Sequence, residues 1–512
     1  MDVVLHPDRP ITEETLVAVA RDGATVALDD AALDRLETAR AAIDALAAAD
    51  RPVYGVSTGF GALATRHIPR EQRTQLQRSL VRSHAASSGA EVEQEVVRGL
   101  MLLRLQTLLT GRTGVRRVTA ETYAALLDAG ITPVVGEFGS LGCSGDLAPL
   151  AHAALAVMGE GTVRVGDDVL TAAEALATAG IEPVVLAEKE GLALINGTDG
   201  MLAMLMLACA DLAALLRVAD IAAAMSVEAL LGTDRVFAAD VLALRPHPGQ
   251  QDSGANLRRL LDGSAIVQSH RGPEDTRVQD AYSLRCAPQV AGAARDLLAF
   301  ARAVAAREAA STIDNPVLLP DGRIESNGNF HGAPVGYALD ALAIPVADVA
   351  SMSERRTDRL LDVTRSHGLP PFLADDPGVD SGLMIAQYTQ AGLVSELKRL
   401  AIPASVDSIP SSGMQEDHVS MGWNAGRKLR RALDALARVV AIEVLAAARA
   451  LELRAPLAPA PATAAAVAAL RAAGVPGPGP DRFLAPEIER SVELVRRGGL
   501  LAAVEDVTGR LA

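Results

Sequence analysis

The chain has 512 residues, 49% hydrophobic but only 3% aromatic, with a formal net charge of −15. Ala and Leu dominate, which favours closely packed helices over a β-sandwich. The acidic balance, with no basic run, offers no phosphate footprint and excludes a nucleic-acid partner.

Cys143, Cys209 and Cys286 are widely spaced and form no metal-like pair, so neither a disulfide framework nor a metal is expected. The first residues, Met-Asp-Val-Val-Leu-His-Pro-Asp, lack a basic segment followed by an apolar one. The most apolar run, 201–210, stops at Asp211, too short for a bilayer. A cytoplasmic protein without membrane association is the expectation.

In chain order, a short helix over 12–20 and a strand through Val26 come first. Asp29 or Asp30 can cap a helix with Leu33, Leu36, Ile43 and Leu46 on one face, ended by Arg51-Pro52. The Gly-rich loop Val53-Tyr54-Gly55-Val56-Ser57-Thr58-Gly59-Phe60-Gly61 follows. Its Gly59-x-Gly61-x-x-Ala64 imitates a dinucleotide fingerprint, but no acidic residue stands at the required distance in a βαβ context. Tyr54 by itself reads as a half-buried packing residue. Helical patterns over 70–83 and 92–109 flank Ser83-His84-Ala85, where the plain reading of His84 is a partner for the helix C-terminal dipole.

The stretch Gly139-Ser-Leu-Gly-Cys-Ser-Gly-Asp-Leu-Ala-Pro-Leu-Ala-His152 carries the most chemistry. Small residues at 143–145, behind Gly139 and Gly142, allow a bend that bulkier residues block. In such a bend the amide nitrogen of Gly145 can attack the carbonyl carbon of Cys143 and close a five-membered ring. Loss of water from Ser144 then leaves an exocyclic methylidene, an electrophile made from the backbone. The rival readings are a hydrolase elbow, for which Gly145 follows Ser144 too closely, a Cys143 thiolate, and a Gly-rich turn before a helix with Asp146 at its N-terminus.

Residues 162–188 read as strand-rich, with strands at 162–165 and 183–186. Asn196, before a Gly-Thr turn, reads as a turn residue, and a long apolar helix over 200–231 marks a boundary between domains 1–199 and 200–512. The loop 245–251 carries no derivable chemistry. In Gln279-Asp-Ala-Tyr-Ser-Leu-Arg-Cys-Ala-Pro-Gln289, Tyr282 and Arg285 are three apart and share a helical face. The Arg fork suits a carboxylate, with a surface Arg as the plainer alternative. Phe330, in Ser326-Asn-Gly-Asn-Phe-His-Gly332, reads as a core plug before a helix reaching about 354. A helix over 381–401 follows, and Gln415-Glu416-Asp417-His418 reads as a solvated helix start. Leu429, Leu433, Leu436, Val440 and Val444 stripe a long helix broken by Pro456, Pro459 and Pro461. A short helix over 462–473 and a closing segment from Pro486 complete the chain, and no repeat of fixed period is present.

These stretches, from Tyr54 to Met421, together resemble the aromatic amino acid ammonia-lyases. The resemblance implies a mainly α fold: an N-terminal globular α+β domain, 1–199, followed by a long-helix bundle, 200–512, with a C-terminal helical cap. The bundle would form the core of a homotetramer whose active sites are shared between subunits. It implies a methylidene-imidazolone (MIO) group formed autocatalytically from Cys143, Ser144 and Gly145, with no external cofactor. Tyr54 would be the catalytic base, and Tyr282 an alternative proton handler or a stabiliser of the ring. Arg285 and Asn196 would take the substrate carboxylate, Gln279 and Phe330 would belong to the substrate-binding set, and His84 and Glu416 would hold an imidazole. Phenylalanine-acting relatives read differently at Glu416.

The implied reaction is non-oxidative elimination of ammonia from L-histidine to trans-urocanate, the first step of histidine degradation. A tyrosine or phenylalanine ammonia-lyase, or an aromatic 2,3-aminomutase, is the alternative. Four positions depart from the pattern: Cys143 for the commoner Ala, Asp199 and Asn327 where Gln and Gly are expected, and Ser57 where histidine-acting members often have Asn.

Overall fold

Local sequence signals and backbone agree best at the helix starts. The computed structural model describes residues 2–48, 55, 57–59, 66–272, 275 and 278–512. Thr12 Oγ1 accepts from Thr15 N at 3.2 Å and opens the helix Glu13–Ala20. Asp29 Oδ1 accepts from Ala31 N at 2.9 Å at the head of Asp30–Ala48, which buries Leu33, Leu36 and Ile43. Leu429, Leu433, Leu436, Val440 and Val444 all lie buried along the helix Gly422–Glu452, as a stripe of that spacing requires.

The chain forms two units, each assembled from three segments: Met1–Ala210, Ala301–Asp340 and Pro403–Arg427 in the first; Asp211–Phe300, Ala341–Ile402 and Lys428–Ala512 in the second. A single division at 199/200 does not describe this grouping. Residues 301–340 and 403–427 are bound into the first unit by Lys189–Asp314, Gly332 N to Gly142 O and Met421 N to Leu141 O.

The first unit carries every strand among the described residues. Asp2–Leu5 pairs parallel with Thr25–Leu28, and Ser88–Glu91 pairs antiparallel with Gly136–Phe138. Thr162–Val165 lies between Ile131–Pro133 and Asp168–Thr171 in an antiparallel sheet, and Val317–Leu318 pairs with Ile324–Glu325. The expected strand at 183–186 is absent, and Asp168–Thr171 takes its place. Gly166, at φ +60°, turns the chain straight back after Val165, whereas Pro183 has no N–H to give a ladder. The helix Arg117–Asp128 has no counterpart in the sequence reading.

Three helices of this unit pack on one another: Arg73–His84, Leu147–Val157 and Glu190–Ile195. This packing sets the start of the second against the turn that follows the third, where Asp146 N donates to Gly197 O. Beside them Gln94–Leu109 is buried on nearly every face, its polar Arg98 and Arg104 included, and both guanidinium groups donate to backbone carbonyls.

The second unit is helical, with no strand among its described residues. Pro461–Ala472 packs on Gly499–Thr508 and on Pro248–Leu261. At its centre Arg356 forks onto Glu443, both buried, and Ser226 Oγ donates to the same carboxylate at 2.7 Å.

Candidate active site

Residues 139–146 form an irregular bend whose glycines cannot be replaced. Gly145 sits at φ +74°, and a Cβ there would stand 2.0 Å from the carbonyl oxygen of Gly197. Only a residue without a side chain survives both constraints. At Gly142, φ +63°, a Cβ would meet Ser420 Oγ at 2.3 Å.

Three neighbouring segments hold the bend, at Gly332, at Ser420–Met421 and at Gly197–Met201. Gly142 O accepts from Ser420 Oγ at 2.7 Å and from Gly332 N at 3.1 Å, and Met421 N donates to Leu141 O at 2.9 Å. Asp146 N donates to Gly197 O at 2.7 Å. Asp146 does not cap its own helix with its side chain. Its buried carboxylate accepts from Ser140 Oγ and Met201 N, each at 2.8 Å. Burial pushes this carboxyl up to about 7, because a dry surrounding disfavours the charged form.

At the apex, Glu416 reaches the two residues that precede Gly145. Cys143 Sγ donates to its Oε2 at 3.1 Å and Ser144 Oγ to its Oε1 at 3.4 Å, while Ser411 Oγ donates to Oε2 at 2.9 Å. Burial, then the Glu416 carboxylate, pushes the Cys143 thiol up to about 12. Both effects disfavour the thiolate, which is the reactive form. Asn196 Nδ2 donates to Ser144 O at 3.0 Å. Its Oδ1 is buried and has no donor among the described residues.

His84 ends the Arg73–His84 helix, as the sequence suggests, but its ring is committed locally. Nδ1 lies 2.9 Å from Leu80 O and 3.1 Å from Ser83 Oγ. A carbonyl can only accept, so Nδ1 carries the proton and Nε2 of the neutral ring is an acceptor. Burial holds its pKa below the usual histidine range, with the Glu416 carboxylate acting in the opposite sense. Phe330 is half-buried in the loop that delivers Gly332 to Gly142. In the same loop His331 Nε2 lies 3.3 Å from His418 Nδ1.

The first unit therefore brings together Cys143, Ser144, Gly145, Asn196 and Glu416, with His84 in electrostatic reach of Glu416. Tyr54 lies outside the described residues. Gln279, Tyr282 and Arg285 belong to the second unit. There the helical turn Tyr282–Arg285 forms as its spacing requires, with the Arg285 guanidinium 4.7 Å above the Tyr282 ring. Arg285 Nε is buried and has no acceptor among the described residues. Arg356 Nη1 donates to Ser283 O at 3.2 Å and fixes the turn from beneath. Gln279 is exposed.

Sequence reasoning passed over Arg104, Ser140 and Ser420. Arg104 had a signal: a lone cation inside the apolar run 99–109 must find buried acceptors. The two serines had none, since their partners are set by chain segments far away in sequence.

The sequence pattern of the aromatic amino acid lyases matches residues 11–472. A histidine ammonia-lyase of Streptomyces avermitilis is 65% identical over 513 residues, covering 100% of both chains. Among solved structures, a histidine ammonia-lyase of Trypanosoma cruzi aligns with a TM-score of 0.90 at 38% identity, over 99% of this chain and 96% of that one. A tyrosine aminomutase of Streptomyces globisporus aligns with a TM-score of 0.94 at 36% identity over 100% of both. The chain belongs to the aromatic amino acid lyase family, and its mainly helical fold is the fold of that family.

Proposed function

We propose that this chain eliminates ammonia from L-histidine without oxidation, giving trans-urocanate. The reading rests on the contact of the Glu416 carboxylate with Ser144 and Cys143, beside a His84 ring that offers an acceptor nitrogen. It is supported by full-length identity of 65% to a histidine ammonia-lyase. Lyase and aminomutase relatives share the fold closely, so the overall architecture does not choose between them.

The bend fits an MIO group made from Cys143, Ser144 and Gly145. Gly145 lies in a cradle that a Cβ would fill, and Asn196 Nδ2 donates to Ser144 O, the carbonyl that would become the oxygen of the ring. When formed, the group supplies an electrophile for the substrate's amino nitrogen, which otherwise leaves poorly. The chain's own residues do the rest. Arg285, steadied by the Tyr282 ring, binds the substrate carboxylate with a charge-assisted fork, and Asn196 assists. His84 Nε2 accepts the imidazole N–H, and Glu416 accepts from the other ring nitrogen when that nitrogen carries a proton. Tyr54 removes the β-proton as general base, with Tyr282 as the alternative proton handler or a stabiliser of the ring. Gln279 and Phe330 complete the substrate-binding set. A cytoplasmic homotetramer with sites shared between subunits belongs to the same proposal.

The test is urocanate absorbance on mixing purified protein with L-histidine, with L-tyrosine and L-phenylalanine alongside and Ser144→Ala as control. Turnover of histidine alone, abolished by Ser144→Ala, is expected. Turnover of tyrosine in its place would overturn the assignment of His84 and Glu416.

A further inference from the structure

Arg104 sits in the middle of Gln94–Leu109 and is fully buried. Its Nη1 donates to Asn196 O at 2.7 Å and to Ala193 O at 3.1 Å. Its Nη2 donates to Ile313 O at 3.0 Å and lies 3.0 Å from the Asp199 carboxylate. Two of these acceptors belong to the end of the Glu190–Ile195 helix, where carbonyls lose their intrahelical partners. The guanidinium thus pins the point at which that helix becomes the turn Asn196-Gly197-Thr198.

Gly197 is packed from both sides. A Cβ on it would stand 2.2 Å from Arg104 Nη2, so the guanidinium lies directly beneath its backbone. On the other side, the Cβ position of Gly145 falls 2.0 Å from Gly197 O and 2.7 Å from Gly197 N. Arg104, Gly197 and Gly145 form a column, and only its lowest member can be changed without touching the bend itself.

We propose that Arg104 is the positioning residue for ring closure at 143–145, acting through the Asn196-Gly197 turn; the inference rests on the MIO reading above. The Gly145 N to Cys143 C bond forms, and the Cys143 carbonyl oxygen departs as water with the amide protons of Gly145 and Ser144, leaving a C=N bond in the ring. The Ser144 Cα–H and side-chain hydroxyl then leave as the second water, which forms the exocyclic methylidene. No oxidant or reductant enters. The closure needs the Gly145 nitrogen held against Cys143, and a wall that yields by a fraction of an ångström forfeits that approach. Asp199, which stands where the family resemblance leads one to expect Gln, gives the buried cation its counter-charge.

The experiment is an intact-mass time course of the full chain after cell-free synthesis, with circular dichroism as the check on folding. Wild type should lose two waters promptly. Arg104→Met should fold yet dehydrate more slowly by on the order of a hundredfold. Arg104→Lys keeps the charge beside Asp199 but loses the fork, and should slow by about tenfold. Dehydration of folded Arg104→Met at the wild-type rate would overturn the proposal. If Arg104→Met does not fold, the Arg104→Lys time course decides in the same way. A wild type that keeps both waters would sink the MIO reading itself, a result distinct from any variant's behaviour.

Discussion

Cys143 donates its thiol proton to Glu416 Oε2 at 3.1 Å, across 273 positions of sequence. The bond joins the bend to the residue that, on the proposed function, meets the imidazole. Burial pushes the thiol up to about 12, so it is a neutral donor at every working pH.

Replacing Cys143 by Ala, the commoner residue in the family, should therefore leave maturation intact. Glu416 loses one weak donor, and KM for L-histidine should move by no more than about threefold, with kcat unchanged. Steady-state kinetics with an intact-mass check decides this. A failure to lose two waters would show that the thiol helps the closure.

Glu416→Gln keeps the size of the side chain and removes its charge. The loss of a hydrogen bond to a charged group, about 2 kcal/mol, should lower kcat/KM for L-histidine roughly thirtyfold. Activity toward L-tyrosine should not fall with it. Parallel losses for both substrates would mean that Glu416 supports the bend and not the imidazole.

Arg285→Lys should raise KM by about tenfold while kcat changes much less, since a point charge cannot reproduce the fork on a carboxylate. The ring of Tyr282, 4.7 Å below the guanidinium, also loses its planar partner. Equal effects on kcat and kcat/KM would assign Arg285 to the transition state alone.

Asp146 carries a pH dependence with a defined sign. Its carboxyl is raised to about 7 in the folded chain, against about 3.9 unfolded. Its contribution is whole below about pH 4 and is lost as pH rises through about 7, because the unfolded chain releases the proton first. The stability of wild type relative to Asp146→Asn should accordingly fall across that window. Urea midpoints at stepped pH measure the difference, and a flat difference would refute it.

Arg356 and Glu443 are buried together in the second unit. Arg356→Met strands the carboxylate and should cost about 3–5 kcal/mol, whereas Arg356→Met with Glu443→Leu should recover most of it. Urea unfolding of the single and double variants gives the comparison. The single variant should also raise KM, because Ser283 O loses the donor that holds the Tyr282–Arg285 turn.

Much of the local geometry within each unit was legible because it depends on neighbouring residues. The Tyr282–Arg285 pair needed only three-residue spacing, and the 139–145 bend needed only small residues in a row. Asp146 was visible too, but as a helix cap, and its real partners are Ser140 and Met201. Cap geometry is a local expectation, and a carboxylate with two donors already in place has no reason to satisfy it. The strand expected at 183–186 failed for a similar reason, since pairing depends on which neighbour the turn at Gly166 supplies.

The sequence by itself determined the helical class and the bend at 139–145, because periodicity and short-range sterics are carried in neighbouring residues, and its motif stretches pointed to the family by resemblance. Only the tertiary structure decided that Gly145 must press on Gly197, that Arg104 lies beneath that turn, and that 301–340 and 403–427 return to the first unit. Those facts are close contacts between residues distant in sequence. They follow from how buried polar groups find partners when the chain collapses, which no local pattern encodes.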